Sequence, residues 1–255
     1  MRNSLVIEAS SITELLGTVG SPLIVITELI KNAIDASADN ISITYNRNNN
    51  SITVSDDGKG FSLKDILQLS TPGLSNKKRN GNLTNEKGRF YTGSKGLGLL
   101  SVFSLCDQLH IQTKNELSGE YIINWAKKEG GYLYEKIEST HLKNGTTITL
   151  NNVYPQVMTL LTSESEIRKL RQISTYLYKH ESITMPNITL TIDNDTPISL
   201  LFKTNFLPML YDVSFWFNSK TGELTFQCIS DNKNINNKPV VISSFDTIRI
   251  EKIME

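Results

Sequence analysis

The sequence predicts an α+β fold, with helices laid against a mostly antiparallel sheet. Three observations predict it. Residues 22–37 place Ile26, Leu29, Ile30, Ala33 and Ser37 within about 100° of one another at 3.6 residues per turn, the stripe of an amphipathic helix. "ISITYN" and "SITVSDD" alternate apolar and polar residues on either side of "RNNN", a hairpin pattern. Four more runs, "LHIQTKN", "EYIINWAK", "YLYEKIEST" and "GTTITLNNV", follow with short turns, as antiparallel neighbours do.

In chain order, Pro22 follows Ser21 at the first helical position, where its missing N–H costs nothing. The helix it opens carries Glu28, Asn32 and Asp35 on the face opposite the apolar stripe, at four- and seven-residue spacing. In the second hairpin strand, core-facing Ile52 and Val54 bring Asp56 to the same side by alternation. Residues 71–95 lack periodicity and are rich in Gly, Asn and Lys; a loop of that length in a compact domain is functional or mobile. "GLGLLSVFSLCDQL" reads as a buried helix behind a glycine entry.

Composition shifts after Tyr154-Pro155, and a domain boundary is expected near residues 154–162. "SESEIRKLRQISTYLYKH" reads as a helix with a Ser163–Glu166 capping box. "NITLTID", "YDVSFWFN", "GELTFQCIS" and "PVVISSFDTIRIE" read as strands. The expected division is 1–155 and 156–255. There are no internal repeats, and the asparagine-rich "NRNNN" and "DNKNINN" read as surface turns.

Composition excludes several classes. Lys+Arg and Asp+Glu balance at 26 each, so charge gives no sign of nucleic-acid or anionic-membrane binding. No apolar run reaches the ~18 residues of a membrane span, and "MRNSLVIEASSITELLG" is a poor signal peptide. Cys106 and Cys228 stand far apart in apolar surroundings, as buried free thiols of a reducing cytoplasm do. With three His and two Cys there is no zinc-type spacing.

Three stretches carry chemistry. The Glu28 carboxylate can polarise a water, and the Asn32 amide oxygen one turn away can help hold a divalent cation such as Mg²⁺, which takes few protein ligands; the same triplet also suits an ordinary solvated helix face. An inward Asp56 needs a hydrogen-bond donor, for which the exocyclic amine of adenine serves, while Gly58 and Gly60 let a flat ring approach the backbone; a solvated Asp-Gly turn is the plainer alternative. "TGSKGLGLLS", residues 92–101, is a glycine-rich turn whose free N–H groups suit phosphates. It is neither a Walker A loop, lacking G-K-[ST], nor a dinucleotide fingerprint, lacking a preceding strand; glycines for close packing are the alternative. Residues 76–95 hold Lys77, Lys78, Arg79, Lys87, Arg89 and Lys95 against one acid, Glu86, a local basic cluster that favours anions.

In order and spacing, an E-x-x-x-N helix, D-x-G-x-G after a strand, a basic loop ending in G-x-x-G-x-G, and G-T at a late strand resemble the GHKL ATPases. These are the DNA gyrase B subunits, ninety-kilodalton heat-shock chaperones, sensor histidine kinases and MutL. The resemblance covers roughly residues 10–153 and is closest in pattern to MutL-like and MORC-like proteins. It implies a Bergerat-type sandwich at 1–155, followed at 156–255 by a smaller α/β transducer-like region of ribosomal S5 type. It implies Glu28 as general base for the attacking water, Asn32 as the Mg²⁺ ligand and Asp35 as a supporting acid. Asp56, Gly58, Gly60 and Thr146 would receive adenine. Gly93, Ser94, Lys95, Gly96, Leu97, Gly98 and Leu99, with Lys77 further up the loop, would meet the phosphates, and Lys95 would also assist catalysis.

Glu28 stands where histidine kinases typically carry Asn or another residue, which favours the hydrolysing branch. His180-Glu181 lies after the ATPase region and lacks the residues of a phosphoacceptor box. A transducer lysine is not placed by the resemblance; Lys203 and Lys220 are candidates by region alone. The expectation is therefore Mg-dependent ATP binding and hydrolysis, with closure of the loop at 71–95 and dimerisation through N-terminal segments. A nucleotide-gated binding module with little turnover, or a histidine kinase fragment, are the alternatives. The ending "RIEKIME" adds the expectation of a further subunit or C-terminal domain.

Overall fold

The computed structural model describes residues 21–69, 84–89, 91, 98–129, 131–138, 143–178, 185–201, 210–218, 223–231, 240–242 and 248–249. The chain divides into two compact units, Met1–Phe202 and Lys203–Glu255.

The first unit is built on an eight-stranded sheet in the order β5-β4-β3-β6-β2-β1-β7-β8. The strands are β1 (Asn40–Asn46), β2 (Ser51–Asp56), β3 (Cys106–Asn115), β4 (Gly119–Ala126), β5 (Tyr132–Ile137), β6 (Gly145–Val153), β7 (Asn187–Ile192) and β8 (Ile198–Ser199). Every pairing is antiparallel except β1 with β7. The expected hairpin closes at Arg47–Asn50, with Asn50 in the left-handed region at φ 46°. β7 and β8, which follow residue 155, complete this first sheet.

Alternation gives the sheet two unlike faces. Ile41, Ile43 and Tyr45 of β1, Ile52 and Val54 of β2, Leu109 and Ile111 of β3, Ile123 and Trp125 of β4, and Ile148 and Leu150 of β6 are buried beneath the helices. The other face carries hydroxyls that pair across strands, Ser55 with Thr147 at 2.8 Å and Thr53 with Thr149 at 3.4 Å.

The helices are α1 (Pro22–Asp35), α2 (Leu63–Gln68), α3 (Pro155–Leu161) and α4 (Glu164–Tyr178). α1 starts as expected, with Ser21 as N-cap and Pro22 at the first position. It buries Leu23, Val25, Ile26, Leu29, Ile30, Ala33 and Ile34 and touches β2, α3 and α4. Its end is a Schellman turn: Ala38 N–H donates to Ala33 O at 3.1 Å and Ser37 N–H to Ile34 O at 3.0 Å. Ser37 takes the left-handed position there, at φ 66°, where glycine is usual. α2 opens on a capping box in which Ser62 Oγ accepts from Asp65 N–H and Asp65 Oδ2 accepts from Ser62 N–H.

Three elements differ from expectation. "GLGLLSVFSLCDQL" contains a short 3₁₀ segment, Leu100–Ser104, and β3 already begins at Cys106. Ser101 Oγ donates to Gly98 O at 2.6 Å and Ser104 Oγ to Ser101 O at 2.7 Å, bonds to carbonyls three residues back that compete with α-helical continuation. The apolar run satisfies a buried helix and a buried strand start equally, and pairing with β6 at Cys106–Val153 decides it. Residues 155–161, read as part of a boundary, form α3, with Val157, Met158 and Leu161 buried. At α4, Ser163 Oγ accepts from Glu166 N–H at 3.5 Å, but the buried Glu166 carboxylate pairs with Lys169 at 2.5 Å.

The second unit holds β9 (Leu210–Asn218), β10 (Glu223–Asp231), β11 (Val240–Ile242) and β12 (Ile248–Arg249). β9 pairs along the whole of β10, and β11 and β12 pair with opposite ends of it, all antiparallel.

Candidate functional site

The expected site residues fall into two groups, at the middle and at the C-terminal end of α1. Glu28 and Asn32 lie one turn apart on α1, both half-buried. Gly98 stands against them: a Cβ added there would lie 3.3 Å from Glu28 Oε2 and 3.8 Å from Asn32 Nδ2. Loop end and helix thus meet with no room to spare. Leu99 packs partly buried against the core. Asp35, placed by the sequence with Glu28 and Asn32 on one polar face, is buried, at 5% exposure.

At the helix end, Asp56 lies in a row across the buried sheet face. Register sets Asp56 beside Thr146, Thr146 beside Thr113, and Thr113 beside Tyr121. Thr146 and Thr113 share a hydroxyl hydrogen bond at 3.1 Å, and Thr113 Oγ1 accepts from Phe61 N–H at 2.8 Å. Burial pushes the Asp56 carboxyl up to about 6; hydrogen bonds from the Gly58 and Thr146 N–H groups oppose the rise and the Asp57 charge adds to it. Gly58 N–H reaches Asp56 Oδ1 at 2.8 Å.

The glycines of "DDGKG" fit this crowding. A Cβ on Gly58 would stand 2.7 Å from Ala36 O, just past the end of α1, whose carbonyl accepts from Lys59 N–H at 2.9 Å. Gly60 has φ 69°, and a Cβ there would meet Lys114 O at 2.1 Å. The neighbouring Asp57 faces the other way, accepting from Asp39 N–H, Asn40 N–H and Asn40 Nδ2 at 2.7–2.8 Å.

Part of the basic loop is also described, and it corrects the reading of its charge. Arg89 is buried, at 3% exposure; its guanidinium donates to Ala38 O and lies 3.4 Å from Asp39 Oδ1. Lys87 pairs with Asp39 as well, and Glu86 with Lys59 at 2.7 Å. Two of the six cations counted toward an anion are therefore engaged beside the end of α1. Asn85 completes the clamp: its Nδ2 donates to Ile34 O at 2.8 Å, and its Oδ1 accepts from Lys87 and Arg89 N–H at 3.0 Å.

Sequence reading missed Lys31, Ala36, Thr113 and the Asn85–Arg89 clamp. Thr113 was open to the alternation that found Asp56, two residues past Ile111. The clamp had no such signal, because it depends on where the loop lands. Lys77, Gly93, Ser94, Lys95, Gly96, Leu97, His180, Glu181, Lys203 and Lys220 lie outside the described residues, as do the N-terminal segments before Ser21.

A cavity of about 520 Å³ is lined by Ser42, Ser55, Gln112, Thr147 and Thr189 of the hydroxyl face and also by Asp56, Thr113 and Thr146. The Glu28–Asn32–Gly98 contact is not part of it. Among the described residues no cluster of three His, Cys, Asp or Glu could hold a metal, and no helix is long and apolar enough to cross a membrane.

Comparison with known proteins gives the arrangement its context. Over 138 residues, 53% of this chain, the sequence is 32% identical to the DNA mismatch repair protein MutL of Dictyoglomus thermophilum. The alignment spans 23% of that protein's length. The family model described as histidine kinase-, DNA gyrase B-, and HSP90-like ATPase matches residues 21–156, which include α1, Asp56, Gly98 and Thr146. The match covers more than half of the sequence, and the chain belongs to this family of ATP-binding ATPase domains.

Proposed function

We propose that the chain binds ATP with Mg²⁺ and hydrolyses it slowly. One observation carries the reading: a single helix joins both groups of site residues. Glu28 and Asn32 meet Gly98 midway along α1, and Ala36, just beyond its end, meets Gly58 of the Asp56 turn. Eight residues of helix, about 12 Å, separate Glu28 from Ala36, a span comparable to an extended nucleoside triphosphate. The base lies toward Asp56, Thr146, Gly58 and Gly60, and the phosphates toward Gly98 and the turn that precedes it.

The residues fit a hard cation. Asn32 offers an amide beside Glu28, and few protein ligands suit Mg²⁺, whose shell is completed by water and phosphate oxygens. When bound, Mg²⁺ supplies charge neutralisation on the phosphate oxygens. The chain's own part is to position. Asp56 accepts the exocyclic amine of adenine, and Thr146 and Thr113 hold the polar edge of the ring. Glu28 takes a proton from the attacking water as its oxygen bonds the terminal phosphorus and the bridge to the leaving diphosphate breaks. Lys95 and backbone amides of the glycine-rich turn would neutralise the developing charge.

The loop at 71–95 closes over the nucleotide, and two copies dimerise through their N-terminal segments. Residues 1–155 are the ATP-binding domain and 156–255 a transducer-like region, with β7 and β8 completing the first sheet. A further subunit or C-terminal domain supplies the biological task. The setting is cytoplasmic, in keeping with the buried free thiol of Cys106. DNA mismatch repair belongs to the name of the Dictyoglomus protein; the aligned portion supports the ATPase engine alone.

The test is phosphate release by the purified chain with Mg·ATP, beside Glu28→Ala. Removing the base is expected to lower turnover roughly 10²–10⁴-fold with nucleotide affinity nearly unchanged. Equal turnover removes Glu28 from the role. Tight binding with no turnover in either protein makes the chain a nucleotide-gated binding module.

A further inference from the structure

Lys31 lies three residues after Glu28 on α1, with its Nζ 2.7 Å from Glu28 Oε1. On an open helix face such a pair adds little stability and has no further role. This pair is not on an open face. The Lys31 and Glu28 side chains retain 24% and 29% exposure, and the carboxylate is shared between two neighbours. Oε1 is held by the ammonium, whereas Oε2 lies 3.3 Å from the point where a Cβ on Gly98 would stand. Asn32 Nδ2 is 3.8 Å from that point.

We propose that Lys31 is a positioning residue that fixes the Glu28 carboxylate by Oε1 and so turns Oε2 toward Gly98. The inference rests on the reading of Glu28 as the base. A glutamate has three side-chain torsions and several staggered conformers. A base that must meet one water in line with one phosphorus loses rate whenever it leaves that conformer. Lys31 acts through Glu28, so it affects the chemical step and leaves nucleotide binding alone.

The experiment is steady-state phosphate release by the full chain with Mg·ATP, for wild type, Lys31→Met, Lys31→Gln, Lys31→Arg, Glu28→Gln and the Lys31→Met/Glu28→Gln pair. Lys31→Met and Lys31→Gln are expected to lower kcat roughly 10-fold with KM unchanged, and Lys31→Arg to retain most of it. In the pair, the lysine change should cost nothing beyond Glu28→Gln. Unchanged or raised kcat in both neutral variants overturns the proposal. A raised KM with kcat intact also overturns it, because that pattern marks a lysine that touches phosphate directly. Wild-type release abolished by Glu28→Gln but kept in Lys31→Met strikes this proposal alone. No release by wild type, or full release by Glu28→Gln, refutes the hydrolysis reading and this proposal with it.

Discussion

Replacing Asp56 by Asn should move stability and nucleotide binding in opposite directions. The carboxyl is pushed up from 3.8 to about 6, chiefly by burial. An acid whose folded pKa exceeds its unfolded one holds more protons in the folded state between the two values. Stability therefore falls as pH rises from roughly 4 to 6, and the penalty is complete above that window. The gap corresponds to about 3 kcal/mol as an upper bound. Asn keeps the shape and the Oδ1 acceptor for Gly58 N–H, now at 2.8 Å, without the charge, but its NH₂ cannot accept from the Thr146 N–H. Set against that lost bond of about 1 kcal/mol, the free variant should still be up to about 2 kcal/mol more stable than wild type at pH 8 and no more stable than it near pH 4. Binding changes the other way. With Oδ1 engaged by Gly58, the second position presents an NH₂ to the adenine amine, donor against donor. Losing that charge-assisted bond costs about 1.5–3 kcal/mol, or roughly 10- to 150-fold in Kd. Urea unfolding at both pH values and calorimetric titration with a non-hydrolysable Mg·ATP analogue read the two effects. A variant less stable than wild type at pH 8 would show that the ionised carboxylate stabilises the free fold. An unchanged Kd would remove Asp56 from base recognition.

Three further substitutions test the framework around the site. Gly60→Ala is expected to destabilise by roughly 2–4 kcal/mol, since φ is 69° and the new methyl would meet Lys114 O at 2.1 Å; a urea midpoint within error of wild type contradicts that. Asn85→Ala strips partners from Ile34 O and from the Lys87 and Arg89 N–H groups. It should cost about 2–4 kcal/mol and speed proteolytic cutting near residues 84–89, and wild-type resistance would show the clamp to be dispensable. Ser37→Gly relieves a left-handed serine and removes a buried hydroxyl with no hydrogen-bond partner. A gain of about 1 kcal/mol in urea unfolding is expected, and a loss would mean that the hydroxyl matters.

What the sequence showed and what it hid have separable physical causes. α1, the β1–β2 hairpin and the inward turn of Asp56 follow from period and alternation, which are local, and all three stand in the structure. The Leu100–Ser104 segment was misread because a uniformly apolar run has no period to tell a helix from the start of a strand. α3 was missed because a composition shift after Tyr154-Pro155 was read as a boundary, although Pro155 is also a favourable first helical residue. Arg89 was read by its charge alone. Its burial depends on the loop crossing the end of α1, where Ala38 O and Asp39 accept it, and nothing between residues 84 and 89 encodes that landing. Lys31 lay in plain view at E-x-x-K spacing, but an ordinary surface pair shares that spacing; only the proximity of Gly98 to the same carboxylate sets it apart.

The claim tested most directly by one measurement is that the middle of α1 and the Asp56 row hold the two ends of one nucleotide. The measurement is a crystal structure of the chain with Mg²⁺ and a non-hydrolysable ATP analogue. The adenine amine should lie about 3 Å from the Asp56 carboxylate, and the terminal phosphate beside Glu28, Asn32 and Gly98. Nucleotide seated against Ser42, Thr147 and Thr189 with its base turned away from Asp56, or a terminal phosphate remote from Glu28, would contradict it.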